Sequence, residues 1–171
     1  PVRVLDCGTG SGALLLSVLA ERPEAKGVGI DRSAAALAVA SGNAHALGLA
    51  GRVQMLQRDW DQPGWRDGLG LFDLILANPP YVRQESLGTD YKALLKKRFP
   101  AVYDGKADLY CYFYARALDL LKPGGMIVFI SSNSWLQSKF AQKMRNVLKQ
   151  SCDFQYLLNF NNSYIFLVFT V

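Results

Sequence analysis

Three glycines at alternate positions, Gly8-Thr9-Gly10-Ser11-Gly12, follow the apolar run Val2-Arg3-Val4-Leu5-Asp6-Cys7 and lead into residues 13–21, whose apolar positions have helical spacing. Strand, glycine turn and helix in this order open a nucleotide-binding βαβ unit, and the rest of the chain continues it. Gly27-Val28-Gly29-Ile30-Asp31 reads as a second strand ending in an acid, and Ser33 as the N-cap of an alanine-rich helix running to about Gly48. Residues 52–57 form a third strand ending at Arg58-Asp59-Trp60. After a loop marked by Pro63-Gly64 and Asp67-Gly68, Leu71-Phe72-Asp73-Leu74-Ile75-Leu76-Ala77 is the central fourth strand. Strands alternating with helices imply a parallel sheet with helices on both faces.

The fourth strand runs straight into Asn78-Pro79-Pro80-Tyr81. A residue before proline is pushed out of the helical region, and proline itself has a fixed φ and no N–H. The segment therefore leaves the strand extended and stiff, with its carbonyls available. Asn78 Oδ1 and the Pro79 carbonyl can both accept hydrogen bonds from one –NH2 group, and the Tyr81 ring offers a face for a planar group. The competing reading is a strand followed by a proline-rich turn without chemistry.

Residues 82–106 are a long, charged connection with a helix expected around 91–98, and connections of this length in compact domains usually carry function. Helical spacing returns over 108–121. A tight turn at Lys122-Pro123-Gly124-Gly125, a fifth strand over 126–131 and an amphipathic helix over 135–150 follow. Residues 153–160 and 164–171 read as a closing hairpin. The fold class expected is α/β, with seven strands, mostly parallel, closed by an antiparallel hairpin.

At 171 residues and half apolar, the chain is expected to be one domain, residues 1–171, with a substantial core. No apolar run reaches membrane-span length and no signal segment is present, so a cytoplasmic protein without membrane contact is expected. The start at Pro1 and the end at Val171, each on a strand, point to a fragment of a longer protein. Cys7, Cys111 and Cys152 are scattered and His45 is the one histidine, a pattern that makes neither a disulfide framework nor a metal site. With no Ser/His/Asp or Cys/His constellation, hydrolytic chemistry is not indicated. Residues 1–80 carry seven basic and eight acidic side chains, residues 81–150 twelve and five, and residues 151–171 one aspartate. The basic surplus follows Asn-Pro-Pro-Tyr, which favours a polyanionic partner; an ordinary solvated basic face is the alternative.

Gly8, Gly10 and Ala13 also satisfy the looser GxGxxA dinucleotide pattern, with Asp31 about where a ribose-binding acid falls, so a nicotinamide enzyme competes on the turn alone. Asp6 before the first glycine shifts the balance, as does Asn-Pro-Pro-Tyr, for which an oxidoreductase has no evident use. Asp6-Cys7-Gly8-Thr9-Gly10-Ser11-Gly12, Asp31, Asp59 and Asn78-Pro79-Pro80-Tyr81 together resemble the S-adenosylmethionine-dependent methyltransferases over nearly the whole chain. The last motif resembles the branch that methylates exocyclic amino or amide nitrogens. The resemblance implies a Rossmann-like methyltransferase sheet and S-adenosyl-L-methionine as cofactor. It places Asp6, Gly8, Gly10 and Gly12 at the cofactor's methionine portion, Asp31 on the ribose hydroxyls and Asp59 at the adenine amino group. Trp60 and Asn78 complete the implied cofactor-binding set.

Two subfamilies divide the chain. Residues 1–80 resemble the release-factor glutamine methyltransferases. Residues 78–160 resemble the adenine-specific DNA methyltransferases of restriction–modification systems, through Asn78-Pro79-Pro80-Tyr81-Val82-Arg83-Gln84-Glu85, Lys106-Ala107-Asp108-Leu109-Tyr110, Leu121-Lys122-Pro123-Gly124-Gly125 and Ser131-Ser132-Asn133-Ser134-Trp135. Weighting the half that would touch substrate, the resemblance implies methylation of the N6 amino group of an adenine flipped out of duplex DNA. Asn78, Pro79 and Tyr81 are then the catalytic residues. Tyr81 and Phe166 would sandwich the base, with Phe160 in reserve, while Lys96, Lys97 and Arg98 contact phosphate. A target-recognition domain or subunit is an implied partner, since this chain lacks the segment expected after Phe166. A protein-glutamine methyltransferase, an RNA methyltransferase and a non-catalytic DNA-binding fragment stay open.

Overall fold

The computed structural model describes residues 1–60, 62–79, 82–160 and 164–171, the side chains of Gln84, Asn159, Phe160 and residues 164–167 excepted. The chain divides into two compact units, Pro1–Ala77 with Leu121–Gly125, and Asn78–Leu120 with Met126–Val171.

The first unit holds β1 (Arg3–Cys7), α1 (Ala13–Glu21), β2 (Lys26–Asp31), α2 (Ala34–Ala46), β3 (Val53–Gln57) and β4 (Phe72–Ala77). Its strands are all parallel, in the order β3-β2-β1-β4, with Cys7 of β1 in register with Ile30 of β2 and Ala77 of β4. In β1, Val4, Leu5, Asp6 and Cys7 are buried without alternation, the pattern of a parallel strand covered on both faces. Helix α1 packs through Leu15, Leu16 and Leu19. Ser33 Oγ accepts the Ala36 N–H and starts α2, whose buried residues are Leu37, Ala40 and Ala44. The Arg52 guanidinium donates to the carbonyls of Leu19, Arg22 and Ala25 at 2.8, 3.0 and 3.2 Å, satisfying acceptors that the end of α1 leaves open. At the start of β4, Asp73 accepts from the Arg3 N–H and from Lys122 Nζ at 2.7 and 2.8 Å. The Lys122 hydrogen bond holds its carboxyl below the usual carboxylate range, with the Arg3 N–H helping.

The second unit holds α3 (Thr89–Arg98), α4 (Tyr110–Leu118), α5 (Gln142–Ser151), β6 (Asp153–Phe160) and β7 (Tyr164–Thr170), together with the greater part of β5 (Leu121–Ser132). β5 pairs antiparallel with β7 and β7 with β6, the closing hairpin that the sequence indicates. Helix α4 is apolar and aromatic nearly all round, and Tyr110, Cys111, Tyr112, Tyr114 and Ala117 are buried. Arg116 is buried with them, its guanidinium 5.0 Å over the Phe99 ring, an arrangement in which the ring's quadrupole offsets part of the desolvation. Along β5, Ile127, Phe129 and Ser131 are buried in alternation with half-buried neighbours.

The seven strands follow the order β3-β2-β1-β4-β5-β7-β6 with helices around them, the mostly parallel α/β sheet with one antiparallel hairpin that the sequence indicates. No helix among the described residues is long and apolar enough to cross a membrane. Two local expectations are corrected. The Lys122-Pro123-Gly124-Gly125 turn lies inside β5, where Gly124 at φ +75° bends the strand without ending it. The helix expected over 135–150 is two 3-10 turns, Asn133–Leu136 and Lys139–Ala141, followed by α5. Local hydroxyl bonds occupy the backbone that a continuous helix would use: Ser132 Oγ accepts the Ser134 N–H at 3.2 Å, and Ser138 Oγ donates to the Ser134 carbonyl at 2.6 Å.

Candidate active site

In the first unit the turn between β1 and α1 is shaped by backbone. Gly8, Gly10 and Gly12 have φ of +75°, +55° and +82°, a region that side-chain-bearing residues rarely adopt. A Cβ built on Gly8 or Gly10 would meet nothing within 4 Å, so these two line open space; on Gly12 it would lie 3.0 Å from Leu16 Cδ1 and 3.3 Å from Ala40 Cβ. The first two glycines thus open a cradle, and the third allows close helix packing. The Gly8 and Thr9 N–H groups both donate to the Ile30 carbonyl at 2.9 Å, fixing the turn to the end of β2.

Three aspartates stand at the carboxyl ends of these strands. Asp6 is 1% exposed and accepts from Thr9 Oγ1 at 2.7 Å. Burial pushes its carboxyl up to about 6, against the lowering effect of the Thr9 hydroxyl and the Leu15 N–H, with the Asp31 charge adding to the rise. Asp31 accepts from the Gly10 N–H at 3.0 Å through Oδ2 and from the Ser33 N–H at 2.9 Å through Oδ1. A carboxylate has about four lone-pair sites, so Asp31 can still receive two hydroxyl donors. Asp59, half-buried, lies two residues past β3. Trp60 next to it is 8% exposed and stacked on Trp65, with centroids 5.1 Å apart and planes within 1°. Thr9 and Trp65 belong to this constellation and the sequence did not single them out. The Asp6-x-Gly8-Thr9-Gly10 order, with a hydroxyl three residues after a strand-end acid, is a usable signal for Thr9. Trp65 becomes a partner only through the fold of its loop.

In the second unit Asn78, the residue after Ala77, is exposed and Pro79 is buried. Pro80 and Tyr81 lie outside the described residues, as do the side chains of Phe160 and Phe166, so the expected aromatic sandwich falls there too. Val82 resumes the chain, and its carbonyl accepts the Leu109 N–H at 2.9 Å, tying the segment to the start of α4. Asp108 beside it is half-buried; burial first, then the Glu85 charge, lifts its carboxyl above the usual range, and Arg83 opposes this. Lys96 and Lys97 are exposed and Arg98 is half-buried, all three in the last turn of α3.

Around the end of β5 a hydroxyl network stands that the sequence did not reveal. Ser131 Oγ meets Tyr114 OH at 2.9 Å and accepts from Trp135 Nε1 at 3.2 Å. Tyr110 OH lies 3.1 Å from Ser134 Oγ, which lies 2.9 Å from Ser132 Oγ. These bonds brace Ser131-Ser132-Asn133-Ser134 against α4. The thiols of Cys7 and Cys111 are buried; burial raises that of Cys111, and a protonated thiol is no nucleophile.

Two family models match the chain, each over more than half of it: a methyltransferase domain over residues 4–97 and the Eco57I restriction-modification methylase over residues 51–166. The chain belongs to the S-adenosylmethionine-dependent methyltransferases. The release factor glutamine methyltransferase of Caulobacter vibrioides is 44% identical over 128 residues, 72% of this chain and 43% of that protein. The type II methyltransferase M.XhoI of Xanthomonas vasicola is 36% identical over 96 residues, 56% of this chain and 17% of that protein. Among solved structures, the methyltransferase subunit of a type I restriction-modification system from Streptococcus thermophilus superposes with a TM-score of 0.74 at 20% identity, covering 99% of this chain and 39% of that one. The chain spans less than half the length of the curated relatives it matches. The residues present fit S-adenosylmethionine: the space over Gly8 and Gly10 admits a ligand against bare backbone, and carboxylates suit a ligand that is cationic and carries hydroxyls.

Proposed function

We propose that residues 1–171 act as the catalytic domain of an N-methyltransferase whose substrate is the N6 amino group of adenine in duplex DNA. One observation carries DNA over protein: the Eco57I restriction-modification match runs from residue 51 to 166 and takes in Asn-Pro-Pro-Tyr and nearly everything after it. The M.XhoI similarity and the basic surplus of residues 81–150 support the same side. A target-recognition domain or subunit would choose the DNA sequence. The 44% identity to a release factor glutamine methyltransferase favours a second reading, transfer to a protein side-chain amide.

In the proposed site the cofactor supplies an activated methyl group on a sulfonium. Gly8, Gly10 and Gly12 let backbone approach its methionine portion near Asp6. Asp31 accepts the ribose hydroxyls, and Asp59 with Trp60 borders the adenine. On the substrate side Asn78 Oδ1 and the Pro79 carbonyl accept the two N–H bonds of the target amino group, while Tyr81 stacks on the extruded base with Phe166 opposite. Those acceptors would turn the nitrogen lone pair toward the cofactor's activated methyl group and stabilise the positive charge that the amino nitrogen gains. The surplus N–H proton is acidic after transfer and passes to water, so no strong base is needed. The main catalytic effect of Asn78 and Pro79 would be to fix the orientation of the amino nitrogen toward the cofactor.

The test offers labelled S-adenosylmethionine to the protein with duplex DNA and a glutamine-containing release factor in parallel. Label is expected in DNA, recovered as N6-methyladenine, and Asn78→Ala should reduce it about 100- to 1,000-fold while cofactor affinity by calorimetry stays within about threefold. Label in the release factor alone would overturn the DNA assignment.

A further inference from the structure

Charge in the last third of the second unit is one-sided. Between Asp119 and Asp153 the sequence has no acidic residue, and Lys139, Lys143, Arg145 and Lys149 fall within that tract. Helix α5 buries Met144 and Leu148 and turns Gln142, Lys143, Asn146 and Lys149 to solvent. Lysines and side-chain amides are residue types that hold phosphate oxygens without reading bases.

Helix α3 makes the useful contrast. Its Lys96, Lys97 and Arg98 sit in the last turn and its Asp90 in the first, the placement that the helix dipole stabilises on its own account. Helix α5 breaks this pattern, with Lys143 in its first turn and no acid there. Lys143 Nζ donates to the Tyr103 carbonyl at 2.8 Å, which uses one of its three protons and neutralises none of its charge.

A run of hydrogen bonds also connects α5 to the segment that leaves Asn-Pro-Pro-Tyr. The Val82 carbonyl accepts the Leu109 N–H, and the hydroxyl of Tyr110, the next residue, reaches Ser134 Oγ. Ser138 Oγ donates to the Ser134 carbonyl, and the Arg145 guanidinium donates to the carbonyls of Trp135 and Ser138. Arg145 is thus a brace, and Lys139, Lys143 and Lys149 are left to face outward.

We propose that the surface formed by Lys139, Lys143, Asn146 and Lys149 is the main grip on the phosphate backbone of duplex DNA, held in register with the target base by the Val82-Leu109-Tyr110-Ser134-Arg145 run. It takes the role that charge clustering alone gives to Lys96, Lys97 and Arg98. This rests on the DNA reading above.

Equilibrium binding of an adenine-containing duplex, followed by fluorescence anisotropy across a salt series, tests it with wild type, K139Q/K149Q and K96Q/K97Q, whose melting curves should match. The slope of log affinity against log salt should fall in magnitude by about 2 in K139Q/K149Q and by well under 1 in K96Q/K97Q. An unchanged slope in K139Q/K149Q, or the larger loss in K96Q/K97Q, overturns the assignment and leaves the DNA reading intact. A wild type that binds no duplex, or prefers an RNA hairpin of equal charge, overturns the DNA reading and this surface with it.

Discussion

The glycine turn of the first unit and the β5 end of the second are both built to hold something, and they do it by opposite means. Around Gly8–Gly12 the shape comes from backbone: three positive φ values, two N–H groups on one carbonyl, and an aspartate bound to a glycine N–H. Around Ser131–Ser134 it comes from side chains, with two tyrosines, a tryptophan and three serines bonded through hydroxyls and an indole N–H. Backbone geometry needs only glycines and an acid, so that part of the chain is like many methyltransferases. A side-chain network depends on every member, so the loss of one hydroxyl is felt by the rest.

The comparison can be broken most forcefully at Asp6. Its carboxyl sits near 6 in the fold against an ordinary value of 3.8, so the folded state holds the proton more tightly than the unfolded chain does. The stability this contributes is complete below the ordinary value and is lost as pH rises through about 6. Asp6→Asn keeps an acceptor for Thr9 and removes the cost of ionisation. It should stabilise the ligand-free protein by up to about 3 kcal/mol above pH 7 and by almost nothing below pH 4. Equal stabilisation at both pH values in denaturant titrations would show that burial of charge is not the cause.

Asp31→Ala removes the acceptor of both the Gly10 and Ser33 N–H groups, and the acid proposed for the ribose. Cofactor affinity should fall by about 1.5–3 kcal/mol, the scale of hydrogen bonds to a charged group. An unchanged dissociation constant by calorimetry would mean that the turn holds its ligand without this acid.

The smallest effect is expected at Tyr114→Phe, which deletes one hydroxyl from the buried network and leaves the ring on Phe129 and Trp135. A loss of about 1–2 kcal/mol in stability is expected, because Ser131 is fully buried and cannot turn to water for a partner. Cofactor affinity should not move, which would sharpen the distinction between the two regions; a loss of both together would blur it.

Much of the first unit was legible from residue order. The strand-turn-helix opening, the Ser33 cap, the acid ending β2 and the parallel alternation each depend on neighbours within a few positions, and local periodicity records such dependence. Asn78-Pro79 was equally legible, since proline restricts its own neighbours. The proline-glycine turn and the single long helix were not legible in that way, because Gly124 at positive φ bends β5 without ending it and because serine hydroxyls compete for the backbone before α5.

By itself, then, the sequence determined the α/β class, the glycine cradle and the methyltransferase resemblance, all set by short-range sterics and apolar spacing. Tertiary structure alone decided that Trp65 stacks on Trp60, that Tyr114 and Trp135 meet at Ser131, and that Arg145 braces the turn before α5. Those partners are set by where the folded chain brings side chains together, and neither composition nor periodicity carries that distance.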